Sequence, residues 1–328
     1  MPRALITGIT GQDGYYLAKF LLEKGYEVYG LLRGQNNPKR EAVERELRGV
    51  HLLTGDLTDP SSLWRVLELS HPDEVYNLGA ISYVAYSWEN AQITTEVTAK
   101  GVLNILEAVR QYAGADLDKV AFYQASSSEM FGTVGTDRQQ ERTLLWPRSP
   151  YGVAKVFGHY MTINFRESYG MRASSGILFN HESPRRGPEF VTRKITRGVA
   201  RIALGLQDEL VLGNLDARRD WGFAGDYVEA MWLMLQQPEG DDYVIATGEP
   251  HSVRDMLELA FANVGIDDWE RHVRIDPALF RPAEIDALDG DATKARERLG
   301  WKPRVTFSEL VTMMVDADLT EQRALSGR

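Results

Sequence analysis

The sequence predicts an α/β protein built on a doubly wound parallel sheet, followed by a smaller mixed α/β lobe. Three observations carry that expectation. Short apolar runs alternate with amphipathic helical stretches through the first half, the pattern of strands covered by helices on both faces. A glycine-rich loop separates the first apolar run from the first helix. The second half loses the alternation, with Pro277, Pro282 and Pro303 in its connecting segments.

Residues 4–7, 27–32, 51–53, 74–78 and 120–125 each read as a buried strand. Between the first two, Leu17, Phe20 and Leu21 recur at helical spacing, and Gly25 after Lys24 is a stop signal. Asp59 and Pro60 supply an N-cap and a first-turn proline for a helix containing Leu63, Val66 and Leu67. Residues 97–112 form a core-facing helix, with apolar residues at 102, 103, 105, 106 and 109. Further helices are expected over 190–206, 226–236, 253–264 and 307–319. The first of these carries Arg193, Lys194, Arg197 and Arg201; Arg197 and Arg201 are given no role, as arginines solvated on a helix. With no internal repeat and no long linker, a sheet domain is expected over 1–178, joined by parts of 214–248. A substrate lobe over 179–328 would interleave with it and leave a cleft between them.

Composition narrows the function. Among 328 residues, 43% are hydrophobic and 26% charged, which is ordinary globular usage. No apolar run approaches the ~18 residues of a membrane span, and the N-terminus turns glycine-rich at Gly8 before a signal-peptide core could form. The absence of cysteine excludes disulfides, thiol nucleophiles, iron–sulfur clusters and thiolate zinc sites. No metal site is expected either, because His181-Glu182 lacks a second histidine at helical spacing. Thirty-seven Lys and Arg against 47 Asp and Glu give a net charge of −10, the wrong sign for coating a nucleic acid. A cytoplasmic enzyme is the expectation.

Thr7-Gly8-Ile9-Thr10-Gly11-Gln12-Asp13-Gly14 follows the first strand and opens the first helix. Its glycines permit a tight turn, close approach of a pyrophosphate and close helix–strand packing, the signature of a Rossmann-type dinucleotide site. Arg33 ends the second strand, where an acidic residue would hold the ribose of NAD; an arginine there suits the 2′-phosphate of NADP. Asp56 either accepts from the adenine amino group or caps a turn. Tyr151 and Lys155 stand four residues apart, on one face of a helix that Ser149 would cap and Pro150 would start. A tyrosine is a poor base at its ordinary pKa of about 10. A neighbouring ammonium and an oxidised nicotinamide would stabilise the phenolate and pull that value toward neutrality.

The stretches TGITGQDGYYL from Thr7, YQASSSEMFG from Tyr123 and PRSPYGVAK from Pro147 extend this pattern. So do GILFNHESPRRGPEFVTRK from Gly176, DARRDWGFAGDYVEAMW from Asp216 and FRPAE from Phe280. Together they resemble, nearly end to end, the GDP-mannose 4,6-dehydratase family of the extended short-chain dehydrogenase/reductase superfamily. The resemblance implies an NADP cofactor, tightly bound and regenerated each cycle. It further implies oxidation of GDP-mannose at C4, proton removal at C5, loss of water from C6 and hydride return to C6, giving GDP-4-dehydro-6-deoxy-mannose. Tyr151 and Lys155 would act at the 4-OH, Glu129 at C5, and Ser127, where the family commonly has threonine, would hydrogen-bond O4.

Cofactor contacts are implied for Gly8, Thr10, Gly11, Gln12, Asp13 and Gly14, and for Arg33, Asp56 and Leu57. The same holds for Leu78, Gly79, Ala80, Ser82, Tyr151, Lys155, His181 and Arg186. Substrate contacts are implied for Ser82, Ser127, Asn180, Lys194, Arg219, Arg281 and Glu284. Guanidinium forks suit a diphosphate, and a carboxylate can accept from ribose or guanine.

Two stretches depart from the family pattern. Paired arginines followed by serines are replaced by Arg33-Gly34-Gln35-Asn36-Asn37, and Ile81 takes a usually polar or sulfur-bearing position. In relatives the first loop reaches toward a neighbouring subunit, so a homodimer and a homotetramer both stay open. Also open are another GDP-hexose or GDP-heptose as substrate, and a non-catalytic NADP-sensing protein. The last reading conflicts with an intact set of Ser127, Glu129, Tyr151 and Lys155.

Overall fold

The computed structural model describes residues 1–34, 36–133, 138–280, 283, 285 and 287–327. Its first half runs β1 (Arg3–Thr7), α1 (Gln12–Glu23), β2 (Glu27–Leu32), α2 (Arg40–Glu46), β3 (Val50–Thr54), α3 (Pro60–Ser70) and β4 (Glu74–Asn77). Helices α4 (Val84–Glu89), α5 (Ala91–Thr95) and α6 (Gly101–Ala113) follow, then β5 (Ala121–Ser127), α7 (Pro150–Tyr169) and β6 (Ala173–Leu178). Beyond lie β7 (Asn180–Glu182), α8 (Val191–Ala203), β8 (Leu210–Leu212), β9 (Arg218–Phe223), α9 (Ala224–Leu235) and β10 (Asp242–Ile245). The chain ends with β11 (Pro250–Ser252), α10 (Val253–Asn263), β12 (Val273–Ile275), β13 (Ala287–Leu288), α11 (Thr293–Leu299) and α12 (Phe307–Ser326).

Among the described residues the main sheet has seven strands in the order β3-β2-β1-β4-β5-β6-β10, and its pairings are parallel. The chain winds outward from β1 in one direction, then returns to β4 and winds the other way. The reversal between β1 and β4 opens a crevice at their carboxyl ends, the usual ligand position in such sheets. Leu17 and Leu21 of α1 and Tyr227, Val228 and Met231 of α9 pack in one core. Leu63, Val66 and Leu67 of α3 pack with Val102, Ile105 and Leu106 of α6 in a second. Each buried leucine or valine contributes roughly 1.5–3 kcal/mol by leaving water. A third core gathers α8, α10 and α12 around Ile195, Leu257, Phe261 and Met314. The two lobes are joined twice: β10 returns to pair with β6, while β7 pairs with β9 of a smaller sheet.

Local signals act as expected where they are strong. Asp59 Oδ1 accepts from the Ser61 N–H at 3.0 Å, and Pro60 opens α3. Ser149 Oγ accepts from the Gly152 N–H at 3.0 Å, fixing the start of α7. Three expectations shift. The helix anticipated over 97–112 begins earlier, because α5 and α6 are joined through a π-helical turn at Glu96–Lys100. The last helix runs on to Ser326 rather than ending at 319. Nor is Arg201 solvated as read, since its Nη1 donates to Gln322 of α12 at 3.1 Å. Next to it in the same helix interface, Arg193 binds the fully buried Asp318 at 2.8 Å and Glu321 at 2.7 Å. Polar pairing extends α12 past the point where its apolar period stops.

Candidate active site

The glycine loop leaves β1 with Gly8 at φ +74°, a left-handed conformation that a side chain would strain. A Cβ on Gly8 would stand 2.9 Å from the Gly79 nitrogen, and one on Gly14 would overlap the Gly8 carbonyl oxygen and lie 2.7 Å from Ile9 Cα. The loops after β1 and β4 therefore meet backbone to backbone over the crevice. Gly11 precedes α1 without a side-chain cap, leaving the first-turn N–H groups of that helix for an anion. This cradle fits the pyrophosphate of a dinucleotide.

Gln12 and Asp13 lie in the first turn of α1 and tie it to the other lobe. Gln12 Nε2 donates to the His181 carbonyl at 2.9 Å, and Gln12 Oε1 accepts from the Ser183 hydroxyl at 2.7 Å. His181 lies with its Nδ1 2.8 Å from the Phe179 carbonyl and its Nε2 2.9 Å from Asp13 Oδ2. Burial alone would raise the Asp13 carboxyl, but His181, Gln12 and Arg186 outweigh it and hold it at about 2. Burial opposes the charge on His181 as well, and the Asp13 carboxylate reverses that, raising its pKa. The ring stacks on Tyr227 with centroids 4.7 Å apart. Arg186 pairs with Glu182 at 3.1 Å and lies over the Phe190 ring.

Further along the crevice, Arg33 is exposed just beyond β2, its carbonyl accepting from Asn37 Nδ2 at 2.9 Å. Asp56 caps its own turn, accepting from the Thr58 N–H at 2.9 Å and the Thr58 hydroxyl at 2.8 Å. Leu57 is buried, and its carbonyl accepts from Asn104. Leu78, Gly79 and Ala80 are half-buried after β4, Thr10 is half-buried in the first loop, and Ser82 is exposed.

The opposite wall is formed by the end of β5 and the start of α7. Ser127 closes β5, and its Oγ accepts from the Glu129 N–H at 3.3 Å. Ser128–Met130 form a 3₁₀ turn that buries Glu129 at the carboxyl end of the sheet. Tyr151 is buried, and its N–H donates to Ser87 Oγ at 3.3 Å. Burial drives the phenol well above its ordinary pKa; a hydrogen bond with Ser127 opposes this, and the Glu129 charge adds to it. Lys155 is buried one turn on, 5.7 Å from the Tyr151 ring centre, and donates to the Ala125 carbonyl at 2.7 Å. Burial lowers its ammonium to about 8 against the opposing Asp13 charge. Ser87 and His159 were invisible to sequence reasoning. Ser87 lies in a short helix without a motif, and His159 holds Ser126 Oγ at 3.0 Å one further turn along α7.

On the second lobe Asn180 opens β7 opposite Trp221, and Lys194 lies in the first turn of α8, where burial lowers its ammonium. Arg219 is buried in β9, with Nη1 donating to the carbonyls of Arg218 and Ile285 at 2.8 Å. Arg281 and Glu284, expected at the substrate, lie outside the described residues, as does Gln35 of the divergent loop. Among the described residues no cluster of potential metal ligands occurs, and no helix is long and apolar enough to cross a membrane.

This arrangement places a buried phenol, ammonium, hydroxyl and carboxylate beside a dinucleotide cradle. The family model described as GDP-mannose 4,6 dehydratase matches residues 5–314. GDP-mannose 4,6 dehydratase 1 of Arabidopsis thaliana is 55% identical over 326 residues, covering 96% of this chain and 89% of that protein. The Homo sapiens GDP-mannose 4,6 dehydratase is 49% identical over 344 residues, covering 98% of this chain and 92% of that one. Among solved structures, the UDP-glucose 4-epimerase of Thermus thermophilus in complex with NAD superposes with a TM-score of 0.83. It is 30% identical and covers 96% of this chain and 98% of that one. By sequence along nearly its whole length, the chain belongs to the GDP-mannose 4,6-dehydratase family.

Proposed function

We propose that the protein is a GDP-mannose 4,6-dehydratase that uses NADP and converts GDP-mannose to GDP-4-dehydro-6-deoxy-mannose and water. The carrying observation is the pairing of Glu129 with the Tyr151–Lys155 couple on one buried wall. An alcohol oxidation needs the couple, and an elimination next to the new ketone needs a second base. Tyr151 takes the proton of the sugar 4-OH, and Lys155 supports the resulting phenolate by its charge. Ser127 donates to O4 and holds the sugar in line with the phenol. Once C4 is a ketone the C5 proton is acidic, and Glu129 removes it and passes it to the C6 hydroxyl, which departs as water; the proton taken by Tyr151 is released to solvent, and a solvent proton returns to C5 as C6 is reduced. An oxidised nicotinamide held by the glycine loop and Lys155 would supply hydride acceptance from C4 and hydride donation to C6.

Gly8, Gly11 and Gly14 would hold the pyrophosphate, Leu78, Gly79 and Ala80 would contact the dinucleotide, and Asp56 and Leu57 would contact the adenine. Arg33, exposed just beyond β2, would meet the 2′-phosphate, and its place there supports NADP over NAD. Lys194, Arg219 and Asn180 take the GDP moiety on the second lobe. The chain self-associates: Val153, Phe157 and Tyr160 form an exposed apolar stripe on α7, at a spacing that a second copy would cover.

Incubation of the purified protein with GDP-mannose and NADP, followed by mass and NMR analysis, tests the reading. Loss of one water without accumulation of NADPH is expected, and stoichiometric NADPH release would mean an ordinary dehydrogenase instead. Glu129→Gln keeps the size of the side chain and removes the base. Elimination should fall by about 10²–10⁴-fold, the usual contribution of a positioned general base, while some cofactor is still reduced. Wild-type dehydration by that variant would remove Glu129 from the mechanism.

A further inference from the structure

Beneath the crevice, a line of buried polar groups crosses the sheet at its switch point. The Gly79 N–H donates to Thr7 Oγ1 at 3.0 Å, and the Thr7 hydroxyl donates to Asn77 Oδ1 at 2.6 Å. Asn77 Nδ2 donates to Gln124 Oε1 at 2.8 Å, and Gln124 Nε2 donates to the Ala125 carbonyl at 3.0 Å. The same carbonyl accepts from Lys155 Nζ at 2.7 Å. Thr7, Asn77 and Gln124 are all buried.

Both ends of this chain have fixed polarity. A backbone N–H can only donate and a backbone carbonyl can only accept, so every hydroxyl and amide between them has one allowed orientation. All donors point from the loop after β4, through Thr7 at the head of the glycine loop, toward Ala125. The register explains the need for it. Paired residues of β4 and β5 end at Asn77 and Gln124, while β5 continues to Ser127. The Ala125 peptide therefore lies past the last paired residue of β4, and the Gln124 amide reaches its carbonyl instead.

We propose that Thr7, Asn77 and Gln124 are positioning residues for Lys155, fixing the carbonyl that holds its ammonium and linking the glycine loop to the Tyr151–Lys155 couple. The proposal rests on the reading of Lys155 as the partner of Tyr151. None of the three residues needs to touch substrate. Aligned hydrogen bonds polarise and stiffen one another, so removal of one link loosens the far end. The other charges facing the couple are Glu129 after β5, Asp13 on α1 and Arg186 after β7. None of the three takes part in the relay's hydrogen bonds.

The test uses Gln124→Leu, Thr7→Val and Thr7→Ser in the full chain, with folding checked by circular dichroism. Gln124→Leu should lower kcat about tenfold and Thr7→Val about threefold, below the roughly 10²-fold cost of a 1 Å misplacement of a catalytic group. The KM for GDP-mannose should stay unchanged. In both variants the acid limb of the kcat profile should move to higher pH, because a misplaced ammonium supports the phenolate less. Thr7→Ser keeps the hydroxyl and should behave as wild type. Independently of turnover, the 15Nζ resonance of Lys155 in the 15N-lysine-labelled protein without cofactor should broaden in Gln124→Leu and Thr7→Val. Folded variants with the wild-type pH profile and a sharp Lys155 resonance would overturn the relay, as would equal behaviour of Thr7→Ser and Thr7→Val. If Gln124→Leu does not fold, the threonine pair carries the test. Lys155→Met separates the two levels, since wild-type activity in that variant would overturn the Tyr151–Lys155 reading itself.

Discussion

The two walls of the crevice are built differently. The wall made by β5 and α7 has its chemical groups buried and hydrogen-bonded within the protein: the Lys155 ammonium to the Ala125 carbonyl, the Tyr151 N–H to Ser87 Oγ, and Ser127 Oγ to the Glu129 N–H. The wall made by β7, α8 and β9 presents Asn180 and Lys194 half-buried from a three-residue strand and the first turn of a helix. Geometry set by a seven-stranded sheet suits groups that must act on one atom. A partly solvated cation such as Lys194 suits an anionic ligand, where charge matters more than a fraction of an ångström. In the proposed function reactivity and affinity fall to separate elements, so substitutions should separate kcat from KM.

The largest effect expected is on the first wall. Tyr151→Phe should lower kcat by about 10²–10⁴-fold with little change in the KM for GDP-mannose. A comparable rise in KM would break the division of labour. On the second wall, Lys194→Ala removes a charged hydrogen-bond donor worth about 1.5–3 kcal/mol. KM should rise about 10- to 10²-fold, with kcat within a few-fold of wild type in steady-state assays.

Arg33→Ser tests the cofactor end of the crevice by fluorescence titration. NADP affinity should fall about tenfold through loss of a charge-assisted pair, with NAD affinity unmoved. Equal losses for both cofactors would sharpen Arg33 into a general loop residue rather than a reader of the 2′-phosphate.

The smallest effect concerns the clasp between the lobes. The His181 pKa is raised in the folded protein, so its contribution to stability is fully present below its unfolded value of 6.5 and is lost as pH rises through the folded value. Asp13 is held down at about 2, so its contribution is present above 3.8 and fades as pH falls toward 2. The Tm difference between wild type and His181→Asn should therefore be largest between about pH 4 and 6.5 and shrink at alkaline pH. A difference independent of pH would assign His181 a packing role on Tyr227 instead.

Much of this was legible in the residues because the signals are local. A glycine loop between an apolar strand and an amphipathic helix, a capped α7 start and the spacing of Tyr151 and Lys155 depend on neighbours in sequence. Elements that sequence reading missed draw their stability from distant partners. The β6 segment, Ala-Ser-Ser-Gly-Ile-Leu, does not read as an apolar run, yet it is wholly buried. It pairs with β5 and β10, and Gly176 leaves room for the Tyr123 ring. Arg193 and Arg201 look like solvent-facing charges until α12 brings Asp318, Glu321 and Gln322 to them.

The sequence by itself determined the five-strand alternation of the first half, the dinucleotide loop, the acid–base candidates and the family, since each is written in contiguous residues. Tertiary structure alone decided which polar groups far apart in the chain share a hydrogen bond. Asp13 meets His181 from 168 residues away, and Thr7 meets Asn77 from 70. Burial excludes the water that would otherwise satisfy such groups, so partners far apart in the chain become obligatory neighbours.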